Sequence, residues 1–186
     1  MNIRKIWALR LSFCFGFFVP IFFAWSIFMH EVPPQNIATW GMILLLDIVG
    51  LILVYQTGNN DPRIQWGWFI AALCIFVAII TTSNTFEWGK IEALSFVFCV
   101  VSIYIWMKYD AKFGLWPYMI ALYISFTPQV KDYWVSPQPE TWWLWAGTIA
   151  GCLCAIYGAK KRDFGNIFIP TAVIPLNAII LGIVLL

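Results

Sequence analysis

One carboxyl in this chain sits where carboxyls are expensive. Asp47 falls inside "GMILLLDIVGLILVY", eleven residues into the apolar run 37–55. A carboxyl near the middle of a bilayer costs a few kcal/mol, so it is expected to face protein or a wet cavity rather than lipid. There it can accept a hydrogen bond from a polar ligand or carry a proton; its structural alternative is a hydrogen bond between helices. Asn177, in "IPLNAII", is the other deep polar group, and a single Asn can equally join helices to one another. Trp142, Trp143 and Trp145 open another apolar run. A spacing of three puts Trp142 and Trp145 on nearly the same helix face, where two indoles could stack on a flat or sugar-like ligand. The alternative for these rings is an interfacial belt. Asp47, Asn177, Trp142, Trp145 and Trp40 are therefore the candidate ligand-binding residues.

Other chemistries lack parts. There is no H-E-x-x-H, no Walker loop and no Ser/His/Asp set around the single histidine, His30, so no enzyme is expected. One His gives no metal site, and neither metal nor cofactor is expected. Cys14, Cys74, Cys99, Cys152 and Cys154 all lie within apolar runs, without a C-x-x-C pair; they read as small apolar filler. A buried Schiff-base lysine, as a seven-helix retinal protein would need, is missing from 167–186. A net charge of +2 points to no nucleic-acid partner.

The elements that must hold these residues follow from composition. The 186 residues are 62% hydrophobic and 11% charged, too oily for one soluble core of this size, so the bilayer is the first partner. The charges fall between seven apolar runs, about 11–29, 37–55, 64–82, 91–107, 114–130, 141–157 and 167–186, each near the length that crosses a bilayer. The first run is basic at its start but ends in Phe-Met-His-Glu with no small-residue cleavage pattern, so it is expected to be a retained helix. With a cytoplasmic N-terminus, nine cations (Arg4, Lys5, Arg10, Arg63, Lys108, Lys112, Lys160, Lys161 and Arg162) lie inside and two (Lys90 and Lys131) outside. The positive-inside rule selects that orientation and leaves the C-terminus outside. Short loops and no signal peptide suit a bacterial inner (plasma) membrane.

The segment "FTPQVKDYWVSPQPETWW", residues 126–143, exposes an internal echo. "VPPQNIATW" at 32–40 faces "VSPQPETW" at 135–142. A shift of 102 residues aligns Thr39-Trp40 with Thr141-Trp142, Tyr55 with Tyr157 and Asp61 with Asp163. One span earlier, Phe18 and Pro20 meet Phe126 and Pro128. The expected fold is an all-α integral membrane domain over 1–186 with seven transmembrane helices. A triple-helix bundle at 11–82, a linker helix at 91–107 and a second bundle at 114–186 make a 3+1+3 parallel repeat, since an odd linker leaves both bundles the same way up. Proline inside a membrane helix removes a backbone hydrogen bond. Pro20, Pro128 with Gln129 as a nearby donor, and Pro175 are accordingly the expected bends. Pro170 is a further weak point.

"FTPQV" followed by "TWWLWAGTIAGCLCAIYG" resembles the PQ-loop and SWEET-type membrane proteins, and "GTIAGCLCAIYGAKKRDFGNIF" is similar to the nicotinamide riboside carriers of the same broad fold. The resemblance is best over about 120–186 and weak over 11–82. It implies a transporter for a small polar solute (a sugar, or a nucleoside-like vitamin precursor) working by alternating access between the two bundles, with the prolines as hinges. It also implies Asn177 as a solute ligand and tryptophans around the solute. Two departures stand out. Pro20-Ile21 replaces a second Pro-Gln, and the expected orientation opposes that of SWEET proteins while suiting the riboside carriers. The competing reading is a non-transporting scaffold or subunit of a larger membrane complex, whose partner is a second copy or another membrane protein.

Overall fold

Hydrocarbon offers the backbone no hydrogen bonds, so an apolar run must satisfy its own amides, which a helix does. The computed structural model describes residues 3–32, 35–57, 62–82, 86–159 and 164–186, and the described residues contain helices and no strand. In chain order these are α1 (Ile3–Phe28), α2 (Ile37–Gln56), α3 (Arg63–Thr82), α4 (Lys90–Lys108), α5 (Ala111–Ser125), α6 (Thr127–Val135), a 3-10 turn (Pro139–Thr141), α7 (Trp142–Gly158) and α8 (Phe164–Leu185). Five of them, α1 to α4 and α8, are long and apolar enough to cross a membrane. The sixth expected run, α7, is a shorter helix of 17 residues. Asp61, Asp163 and the Lys160-Lys161-Arg162 run lie outside the described residues.

Two boundaries differ from the sequence reading. α1 begins at Ile3, not 11, because the basic start continues the same helix. The fifth run divides at Phe126 into α5 and α6. Pro128 has no N–H to give the preceding turn; one residue earlier, the Thr127 hydroxyl donates to the Tyr123 carbonyl (3.3 Å). Polar caps set other ends. The Asn36 side-chain oxygen accepts from Ala38 N (3.0 Å) at the start of α2, and the Asp110 carboxylate accepts from Lys112 N (2.8 Å) at the start of α5. His30 ends α1 at φ 57, the left-handed conformation usually left to glycine, while the next amide, Glu31 N, reaches back to the Ser26 carbonyl (2.9 Å).

Packing puts α3 between α1 and α2, and α8 against both α7 and the α5–α6 pair. α1 lies along α7, and α2 along α5. Small residues permit these approaches, as membrane helices require. A Cβ on Gly67 of α3 would lie 3.0 Å from the backbone carbon of Gly16 in α1. On the other side of α1, Gly147 and Gly151 of α7 receive Val19 and Phe15. Lys5 Nζ donates to the Ala159 carbonyl (3.4 Å), so the start of α1 meets the end of α7.

α4 is attached to α5 by a narrow stripe: Glu92, Ser95, Cys99 and Ser102 are its buried residues. Ser95 donates to the Ala121 carbonyl (2.8 Å) and Ser102 to the Gly114 carbonyl (2.7 Å). Its other faces are apolar and exposed, including Leu94, Val97, Val100 and Tyr104, as suits a helix bathed in lipid. The buried Glu92 binds the starts of two helices together, accepting from the Thr39 hydroxyl of α2 (2.8 Å) and from Gly89 N (3.0 Å).

Candidate functional site

Six helices each turn one stripe toward a shared cavity of about 100 Å³, several times the room one buried water needs. α2 presents Trp40, Ile43 and Asp47; α3 presents Trp68, Ala71, Ala72 and Ile75; α8 presents Val173, Leu176 and Asn177. These offsets of three, four and seven mark one face of a helix. α5 adds Tyr118 and Leu122, α7 adds Leu144, Trp145 and Thr148, and α1 adds Pro20. Phe126 closes the wall where α5 meets α6, and α4 contributes nothing.

Asp47, Asn177, Trp145, Trp40 and Pro20, singled out from the sequence, therefore meet in one place. Asp47 is half-buried, and no described residue donates a hydrogen bond to its carboxyl. Asn177 is buried; its amide nitrogen donates to the Val173 carbonyl of its own helix (2.9 Å), leaving the amide oxygen for other partners. Trp40 donates its indole N–H to Gln35 (3.4 Å) and packs its ring 6.0 Å from that of Phe23. Trp145 is buried with its ring edge-on to Tyr133 (5.5 Å between centroids). Its indole N–H lies toward the Tyr133 hydroxyl, while that of Trp68 is buried without an acceptor among the described residues. Leaving a buried donor unpaired costs about 1–3 kcal/mol, so the Trp68 donor is expected to meet water or a ligand.

Trp142 stands elsewhere: it is 51% exposed and does not line the cavity. At about 100° per residue, Leu144 and Thr148 lie to one side of Trp145 around α7, and Trp142 lies about 60° to the other. It opens the helix straight after the 3-10 turn, with its ring facing out. Pro175 also faces outward, in an unbroken α8, while Pro170 is fully buried. The Tyr123 hydroxyl donates to the Ala172 carbonyl within the same proline-weakened stretch. Pro128 and Gln129 lie at the start of α6 and do not line the cavity. Gln129 is buried with its amide oxygen unpaired among the described residues.

Sequence reasoning missed Trp68 and Tyr118. Trp68 was one of twelve tryptophans, many of them close to helix ends where an interfacial belt would put them. Tyr118 carried no mark in the sequence; its phenol occupies the space where a side chain on Gly50 would stand. Gly50 is one turn from Asp47, so that glycine next to the carboxyl was the available signal.

Small polar clusters flank the cavity at both ends. Toward the start of α1, Ser12, Gln65 and Asn166 surround a space of about 10 Å³, the size of one water. At the opposite end Tyr133 covers Trp145, and Thr141 is hydrogen-bonded to the Tyr133 hydroxyl (3.1 Å) and the Gln138 carbonyl (2.8 Å). Thr39 and Thr141, equivalent under the 102-residue shift, are both buried and both use their hydroxyls to tie neighbouring elements. Among the described residues no group of His, Cys, Asp and Glu could hold a metal ion. Comparison with protein-family models, with curated proteins and with solved structures finds no match.

Proposed function

We propose that this chain is a membrane carrier for a small polar solute, bound at the cavity between two triple-helix bundles and released by their rocking. The observation that carries this reading is the convergence of the one deep carboxyl, Asp47, and the deep amide, Asn177, on a single cavity walled by Trp40 and Trp145. Secondary carriers place their sites near the midplane, at the interface of internal repeats.

Three features support the 3+1+3 arrangement. The middle position in each half belongs to its third span, α3 between α1 and α2, and α8 between α7 and α5–α6. Contacts between halves pair the first span of one with the second of the other, α1 with α7 and α5 with α2. Positions equivalent under the 102-residue shift line the same cavity: Ile43 with Trp145, Ala71 with Val173, and Ile75 with Asn177. α4, the linker in this scheme, stays outside. Pro20 at the cavity wall and the break at Phe126 are the hinge points of this reading. The N-terminus is cytoplasmic, the C-terminus outside, and the membrane a bacterial inner membrane.

The test is uptake into proteoliposomes of a panel of labelled sugars, nucleosides and vitamin precursors, comparing the natural protein with Asp47→Ala and Asn177→Ala. Uptake is expected to fall at least about tenfold in each, the equivalent of about 1.4 kcal/mol. Normal uptake by both variants removes the site. A stoichiometric protein partner on purification, with no solute-dependent thermal shift, turns the reading toward a scaffold.

A further inference from the structure

The cavity's charge and ring content narrow the class of solute. Among the described residues, Asp47 is the only acidic one lining it, and no Lys, Arg or His does. An ionised carboxylate enclosed in protein is costly unless a cation is paired with it, and no described residue pairs with this one. Left alone, such a carboxyl takes up a proton; held as a carboxylate, it calls for a positive charge brought from outside the protein.

The walls suit such a charge. Trp40, Trp68, Tyr118, Phe126 and Trp145 bring aromatic rings from α2, α3, α5 and α7 and from the α5–α6 junction. The faces of such rings attract cations, Trp most strongly, and more so where water is excluded. The alternatives fit less well. An anion would be repelled by Asp47. A sugar needs many hydrogen-bond partners, whereas Thr148 already donates to the Leu144 carbonyl (2.9 Å), one N–H of Asn177 is spent on Val173, and beyond Asp47, Asn177, Tyr118 and the Trp68 indole the lining is mostly apolar.

We infer that the solute is a small organic cation, a quaternary or protonated ammonium compound, whose positive centre lies between the Asp47 carboxylate and the tryptophan faces. This rests on the carrier reading only in taking the cavity as the solute's site. Asn177, with its amide oxygen uncommitted, serves the polar end of the same molecule.

The experiment is equilibrium binding to the full chain in lipid nanodiscs, using ligands matched in shape and differing in charge. Choline is set against its uncharged isostere 3,3-dimethyl-1-butanol, and benzylammonium against benzyl alcohol. In each pair the cation is expected to bind about tenfold tighter or more. Asp47→Asn should abolish that preference. Trp145→Leu should weaken the cations by about three- to tenfold while leaving the alcohols within about twofold, and it keeps the test intact if Asp47→Asn fails to fold. Equal affinities within both pairs overturn the inference, as does no binding of either cation at about 10 mM, where even a millimolar site would be filled. Cation binding without uptake in proteoliposomes leaves the cation site standing and removes the carrier. Uptake of uncharged solutes without cation binding does the reverse.

Discussion

Gly67→Ala isolates the contact that sets α1 against α3. A Cβ there would lie 3.0 Å from the Gly16 carbon, 3.2 Å from Phe17 N and 3.3 Å from the Gly16 carbonyl oxygen. All three are backbone atoms, which cannot rotate away as a side chain can. Ordinary contact begins at 3.4 Å, so the two helices must separate by several tenths of an ångström along their most extensive interface. Overpacking of this kind costs about 1–3 kcal/mol. Alanine also favours helix by about 1 kcal/mol over glycine, which would mask part of the loss. Gly182→Ala supplies the control, because a Cβ on Gly182 meets nothing within 4 Å. The propensity gain is common to both, and their difference is the clash. Thermal unfolding in nanodiscs should place Gly67→Ala below Gly182→Ala by about 1–3 kcal/mol, at about 2–4 °C per kcal/mol for a chain of this length. Equal stability, or a more stable Gly67→Ala, refutes the packing argument. A second readout follows from position: Pro20, one turn beyond Gly16, lines the cavity, so displacing α1 should also weaken solute binding.

The same unfolding measurement checks three more outcomes. Glu92→Ala leaves the Thr39 hydroxyl and Gly89 N without their acceptor and should cost about 1–3 kcal/mol, while Glu92→Gln, which keeps an acceptor, should cost less. Ser95→Ala and Ser102→Ala each remove one tie from α4 to α5; each should cost about 0.6 kcal/mol, the average for such bonds in membranes, and the double variant should loosen α4 first, read as faster hydrogen exchange in α4 than in α3. His30→Gly relieves a left-handed residue at the end of α1 and should raise stability by about 1 kcal/mol, with no change in metal sensitivity.

The amino-acid sequence by itself determined which segments are helices and nearly where they stop. Runs read at 37–55, 64–82 and 91–107 became Ile37–Gln56, Arg63–Thr82 and Lys90–Lys108, because the need to satisfy backbone amides without water is local to each segment. It also marked Asp47 and Asn177, since burying polar groups among apolar ones is costly wherever they end up. What it left undecided was rotation. Trp142 and Trp145 share a tryptophan-rich start, yet only Trp145 enters the cavity; Trp68 and Tyr118 carried no mark and do enter it. Which face of a helix turns inward depends on its neighbours. Here that is Gly16 against Gly67, Val19 against Gly147, and the Tyr118 phenol in the space beside Gly50. Those contacts join residues far apart in the chain, so no local pattern announces them, and only the packed bundle decides which side chains share a cavity.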